Sequence, residues 1–143
     1  GSDIINGGDG IDALFGGSDN DTINGGTGND GVNGGDGNDS LFGDEGDDFM
    51  RGDQGNDTLN GGAGSDEVFV SLNQDLNLTL TNNSLTGEGT DTLISIERAN
   101  LGGSPGANAL NASAFTGPVQ LSGNGGRDTL TGGSGNDTLR GFD

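Results

Sequence analysis

The sequence predicts an all-β chain, a right-handed parallel β-roll (a β-solenoid) of stacked coils. Three observations carry this. Residues 7–69 divide without a gap into seven nine-residue units: GGDGIDALF, GGSDNDTIN, GGTGNDGVN, GGDGNDSLF, GDEGDDFMR, GDQGNDTLN and GGAGSDEVF. Position 6 is always Asp (Asp12, Asp21, Asp30, Asp39, Asp48, Asp57, Asp66), and position 8 is always apolar (Leu14, Ile23, Val32, Leu41, Met50, Leu59, Val68). The opening positions are mostly glycine. A fixed period of this kind marks a stack of repeats, each too small to bury its own apolar face.

Each element of a coil follows from one part of the unit. The glycines permit positive φ and let carbonyls turn toward one point. Three residues around position 8 suffice for a short strand with one side chain pointing inward. One unit is thus a turn plus a short strand, and two units make one coil. Stacked coils lie roughly 4.8 Å apart. Each turn then lies over the turn two units earlier, and the Asp carboxylates form two columns. Residues 1–6 (GSDIIN) supply the end of a preceding unit, with Asp3 and Ile5 in register.

Two columns of bare carboxylates at that spacing repel strongly. Residues 1–66 hold 14 Asp, one Glu and one Arg, a net charge of −14, so the chain supplies almost no countercharge. Carboxylates and main-chain carbonyls in flexible turns suit a hard cation with a loose six-to-eightfold oxygen shell, which is Ca²⁺. Mg²⁺ suits them less, because it demands a tight octahedron and keeps its waters.

Composition narrows the function. The 143 residues allow one domain at most. Only 27% are hydrophobic, 33 are Gly and the net charge is −19, so burial alone cannot offset the ordering entropy. Plain disorder, however, gives no reason to keep an apolar residue at every eighth place. Both states are expected in turn: disordered without Ca²⁺, folded with it. With no His and no Cys there is no disulfide, zinc site, imidazole base or usual catalytic triad. Paired carboxylates can hydrolyse glycosides, but metal accounts for every close Asp pair here, so no enzyme is expected. Four Arg in so acidic a chain argue against nucleic acid. Runs such as Gly25-Gly26-Thr27-Gly28 lack the Lys of a phosphate loop. No run is apolar enough for membrane insertion, and no N-terminal signal peptide is visible. The chain begins and ends inside repeats, as a fragment of a longer array would.

Along the chain, the regular roll spans 1–69. Asp19 stands at a position-4 glycine, and Asp is among the non-glycine residues that best tolerate positive φ, so the turn is expected to survive; Asp44 and Asp53 replace the position-2 glycine. Gly31 weakens one strand. Phe15, Phe42 and Phe69 fall at position 9, facing outward, and are read as covers for neighbouring strands rather than as a docking patch. Residues 70–122 are expected to form degenerate coils. Residues 68–72 and 76–81 alternate like longer strands, with turns at 73–75 and 82–83. Asp75 lies two unit lengths after Asp57, as a candidate end-ligand. Units reappear at 86–94 (TGEGTDTLI) and 103–111 (GSPGANALN), with Asp91 and Asn108 at position 6; Asn108 offers one neutral oxygen. Regular units resume at 123–131 and 132–140, with Asp128 and Asp137. One continuous solenoid is predicted over all three parts, 1–69, 70–122 and 123–143.

The nonapeptide pattern resembles the RTX (repeats-in-toxin) family, the calcium-binding β-rolls of type I-secreted bacterial proteins. The resemblance is strong over 1–69 and 123–143 and weak over 86–111. It implies that each Ca²⁺ lies between one turn and the turn two units on. The earlier turn gives the carbonyls of positions 1 and 3 and its Asp; the later gives those of positions 2 and 4 and its Asp. Carried over, Gly7, Asp9 and Asp12 share an ion with Gly26, Gly28 and Asp30, and Gly16, Ser18 and Asp21 share one with Gly35, Gly37 and Asp39. Gly25, Thr27 and Asp30 join Asp44, Gly46 and Asp48. Gly34, Asp36 and Asp39 join Asp53, Gly55 and Asp57, and Gly43, Glu45 and Asp48 join Gly62, Gly64 and Asp66. These are five complete sites, and Asp3 with Asp21 gives a further, poorer one. The resemblance implies a secreted or cell-surface structural module that folds on Ca²⁺ after secretion and stabilises a larger protein. The alternative is a calcium-rigidified adhesion module whose partners are neighbouring domains or surface glycans.

Overall fold

The structure, a computed structural model, describes residues 1–142, which form sixteen strands and no helix. The first eight strands are β1 (Ile4–Asp9), β2 (Ala13–Ser18), β3 (Thr22–Thr27), β4 (Gly31–Asp36), β5 (Ser40–Glu45), β6 (Phe49–Gln54), β7 (Thr58–Ala63) and β8 (Glu67–Ser71). Odd strands fall in one sheet and even strands in the other. From β1 to β6 each pairs in parallel with the strand two units on, in register: Ile5 opposite Ile23, Leu14 opposite Val32, Leu41 opposite Leu59. The position-8 side chains from Ile23 to Val68 are buried between the sheets. This is the parallel β-roll that the period predicts.

The strands are longer than three residues. Each runs from position 7 into position 3 of the next unit, as in TINGGT of β3. The glycine of position 2 joins the ladder, Gly8 opposite Gly26, because no Cβ stands between the coils. A Cβ built on Gly26 would overlap the Gly8 carbonyl. Asp19, Asp44 and Asp53 do adopt positive φ (79°, 73° and 69°), so those turns survive the loss of glycine.

The middle departs from a purely parallel stack. It comprises β9 (Leu78–Thr81), β10 (Ser84–Thr86), β11 (Thr90–Ile94), β12 (Arg98–Gly102), β13 (Ala109–Ala114) and β14 (Val119–Ser122); β15 (Thr129–Thr131) and β16 (Thr138–Arg140) follow. The first sheet has nine strands in the order β1-β3-β5-β7-β11-β10-β9-β13-β15. The second has seven, β2-β4-β6-β8-β12-β14-β16 read from its N-terminal end. After β8 the chain overshoots to β9, turns back through antiparallel β10, and lays β11 against β7. This antiparallel splice adds two strands to one sheet only. Leu72, Leu78, Leu80, Leu85, Leu93 and Ile96 line it, and Leu101, Leu110, Phe115 and Leu121 continue the core beyond. β9, β12, β13 and β14 each bury two apolar residues where a strand of the repeats buries one, and β10 and β11 bury one each, Leu85 and Leu93.

Of the outward phenylalanines, Phe69 packs on a neighbouring strand, Phe42 is half-buried and Phe15 is exposed. Phe69 packs against Phe49 (ring centroids 5.1 Å apart), and the Arg51 guanidinium stands 5.8 Å from its centroid. Phe15 is 67% exposed. Phe15, Asn33, Phe49, Arg51 and Phe69 line one shallow groove whose wall is lowered by Gly31. Among the described residues no helix is long and apolar enough to cross a membrane.

Candidate metal centre

The turns between strands bring position 6 of each unit to the edge of the stack. There each Asp is tied to the next coil by one bond. The amide of Asp12 donates to Oδ1 of Asp30 (2.9 Å), Asp21 to Asp39 (2.8 Å), Asp30 to Asp48 (2.8 Å), Asp39 to Asp57 (2.8 Å) and Asp48 to Asp66 (2.8 Å). Asp3 opens the series by donating to Asp21 (2.7 Å). A second tie joins the position-4 amide to the position-3 carbonyl two units on, as from Gly10 to Thr27, Gly28 to Glu45, Gly37 to Gln54 and Gly46 to Ala63. The carboxylates therefore stand in two files, one along each edge.

The other oxygen of each carboxylate is the informative one. Oδ2 of Asp12, Asp21, Asp30, Asp39, Asp48, Asp57 and Asp66 is buried and has no hydrogen-bond partner. A buried anionic oxygen left unpaired is among the costliest groups a fold can hold. These oxygens point into small oxygen-lined cradles. A Cβ built on Gly25 would lie 2.6 Å from Asp30 Oδ2 and 2.7 Å from the Gly43 carbonyl. At Gly16 the same two contacts, Asp21 Oδ2 and the Gly34 carbonyl, lie at 2.5 and 2.6 Å. Two acceptors converge on a point with no donor, which is the arrangement a cation resolves. Among the described residues no three carboxylates gather, so each such point is served by main-chain carbonyls and one or two carboxylates. That donor set, all oxygen, fits Ca²⁺.

Electrostatics agree. Burial holds the carboxyls of Asp39 and Asp48 above the ordinary Asp range, and pushes Asp57 and Asp66 up to about 6. The neighbouring carboxylate in the same file adds to the rise each time. The files are thus poised to lose charge unless a cation compensates it.

Position 5 adds a ladder the sequence reading passed over. Asn20 and Asn38 accept from the amides of Asn38 and Asn56, Asn29 from Asp47, and Asp47 from Ser65. The signal was present, since Asn or Asp precedes the position-6 Asp in five of the seven units.

Beyond residue 69 the placement differs from the period. The coil below Asp57 is completed by Asp91, whose Oδ1 accepts from the Asp57 amide at 3.1 Å. Asp75, to which the period points, does not take that place. The splice carries it to the next turn, where its Oδ1 accepts from Ser104 Oγ (2.6 Å). Burial, above all, pushes Asp91 up to about 7. Asn108 is buried; its Oδ1 accepts from the Ser104 amide at 2.8 Å, and its Nδ2 donates to the Leu76 carbonyl. Asp128 and Asp137 repeat the edge bond, accepting from Asn108 (2.9 Å) and Val119 (3.1 Å). Both are only half-buried. Their Oδ2 atoms lie over Gly123 and Gly132, in the manner of the first block.

No curated protein matches the chain. The family model described as "RTX calcium-binding nonapeptide repeat (4 copies)" matches residues 1–32, 33–68 and 120–143, well over half of the chain. Those stretches are the ones whose turns carry the aspartate files, and they leave out the splice. On that match and that geometry, the chain belongs to the RTX calcium-binding nonapeptide repeat family.

Proposed function

We propose that this calcium-binding repeat module is a calcium-triggered folding unit of a larger secreted or cell-surface protein, with a structural rather than catalytic role. The observation that carries the reading is the seven buried Asp oxygens without partners, spread over the two files. Without metal, burial of these carboxylates opposes folding. With metal, the same groups become ligands, so binding free energy is folding free energy. Five Ca²⁺ in the first block would bring a charge of +10 against −14. At low cytosolic calcium the chain would remain extended enough for export, and at extracellular calcium it would fold and stabilise its neighbours. Circular dichroism tests this: disordered in EDTA, cooperatively β-structured in about 10⁻⁴–10⁻³ M Ca²⁺. A folded, heat-stable chain in EDTA would overturn it.

A second reading is an interaction module rigidified by calcium. Exposed Phe15 and the groove it shares with Asn33, Phe49 and Arg51 favour it. Aromatic faces beside amide and guanidinium donors match the apolar face and hydroxyls of a surface glycan. A glycan array probed with the calcium-loaded chain tests this, with Phe15→Ala as control.

A further inference from the structure

The file containing Asp66 does not stop at the last repeat. Asp66 is fully buried, and its Oδ2 has no partner. Its amide donates to Glu97 Oε2 at 2.9 Å, the bond that every earlier Asp of the file gives to the next Asp. Glu97 belongs to the segment ISIER, which has no glycine and no repeat. The preceding Ser95 adopts positive φ (49°), and its carbonyl is turned onto Gly61. In the repeats that place is held by a glycine carbonyl: Gly43 against Gly25, Gly61 against Gly43. The cradle in front of Gly61 is therefore rebuilt from non-repeat residues. Asp66 Oδ2 forms one side, the Ser95 carbonyl the other, and the Glu97 carboxylate lies against the Asp66 amide.

We propose that Glu97 closes a further Ca²⁺ site with Asp66, one coil beyond the repeats. The inference rests on the reading of the Asp files as calcium sites. The local cation does not substitute for the ion, because Arg98 pairs with Glu67 at 3.0 Å. A backbone cap alone needs no second oxygen and no charge at residue 97; an ion needs both. Such a site fastens the repeat block to the splice by metal, in addition to strand pairing.

The test uses Glu97→Gln. Its amide oxygen still accepts the Asp66 N–H, so a purely structural role survives the change while the anionic ligand is lost. Equilibrium dialysis with calcium compares parent and variant, both held folded at saturating Ca²⁺. The expected result is one ion fewer in the variant. In a calcium-loaded crystal of the parent, an anomalous peak is expected between Asp66 and Glu97. Equal stoichiometry and affinity, or a loaded crystal without that peak, would overturn the proposal while leaving the folding reading intact. A parent chain that binds no calcium would overturn both. If the variant fails to fold, the crystal decides.

Discussion

The amide of Asp39 donates to Oδ1 of Asp57, and Oδ1 of Asp39 itself accepts from Asp21, so one residue ties three consecutive coils. Its remaining oxygen faces the cradle at Gly34. The first prediction follows from this. Asp39→Ala should remove one or two bound ions and raise the calcium midpoint for folding, because metal binding and folding are one equilibrium. Asp9→Ala should do little, since the Asp9 side chain is exposed and only accepts from Thr27 Oγ1. Calcium titration followed by circular dichroism compares them. Equal effects would mean that the side chains at position 6 are not the ligands.

Acid should act in opposite directions with and without metal. Asp57 and Asp66 are pushed up to about 6 and Asp91 to about 7 by burial. A raised carboxyl pKa favours the folded state at low pH, and that contribution is lost as pH rises through the folded values. In EDTA the chain should therefore gain β structure on going from pH 8 to about 4. In calcium, protons compete for the ligands, and the midpoint should rise as pH falls below about 7. Far-UV circular dichroism across pH, in each condition, checks the crossing.

Glycine at position 4 should matter according to what lies above it. Gly10 and Gly28 hold the same position two units apart, with φ of 119° and 125°. A Cβ on Gly10 meets nothing, whereas one on Gly28 would overlap the Gly10 carbonyl. Gly10→Ala should cost only the backbone penalty, about 1–2 kcal/mol. Gly28→Ala should prevent the coils from closing and cost clearly more. Calcium midpoints of the two variants give the comparison.

Packing beyond the repeats should feed back on metal binding. Leu110 is fully buried and is no ligand. Leu110→Ala should destabilise the fold by about 2–5 kcal/mol. By linkage it should shift the calcium midpoint upward. An unchanged midpoint would show that the segment after the splice folds independently of the files.

The repeats were legible because every unit states its own geometry. Leu14 to Val68 predict the inward face, and Asp19, expected to tolerate the turn, adopts a positive φ. The splice was not legible. Counting two units on from Asp57 points to Asp75, yet the strand that pairs with β7 arrives only at Thr92. Alternating residues at 76–81 announce a strand but do not say which neighbour it takes. Glu97 carries no repeat signature, and only its bond to the Asp66 amide reveals it. Asn108 matched the frame, but its bonds to the Ser104 amide and the Leu76 carbonyl depend on the fold around it.

The splice also gives the stack an origin. Within residues 1–69 every unit presents nearly the same glycines, the same position-6 aspartate and one inward apolar residue. Sliding a strand by one coil would re-form nearly the same bonds, and a uniform ladder is prone to such slippage. β10 permits no such alternative. Its Leu85 stands antiparallel to both Leu80 and Asp91, a pairing with no equivalent elsewhere in the chain's described strands. Once it is seated, β7 has one neighbour it can accept, and the identical coils before it are counted from that mark.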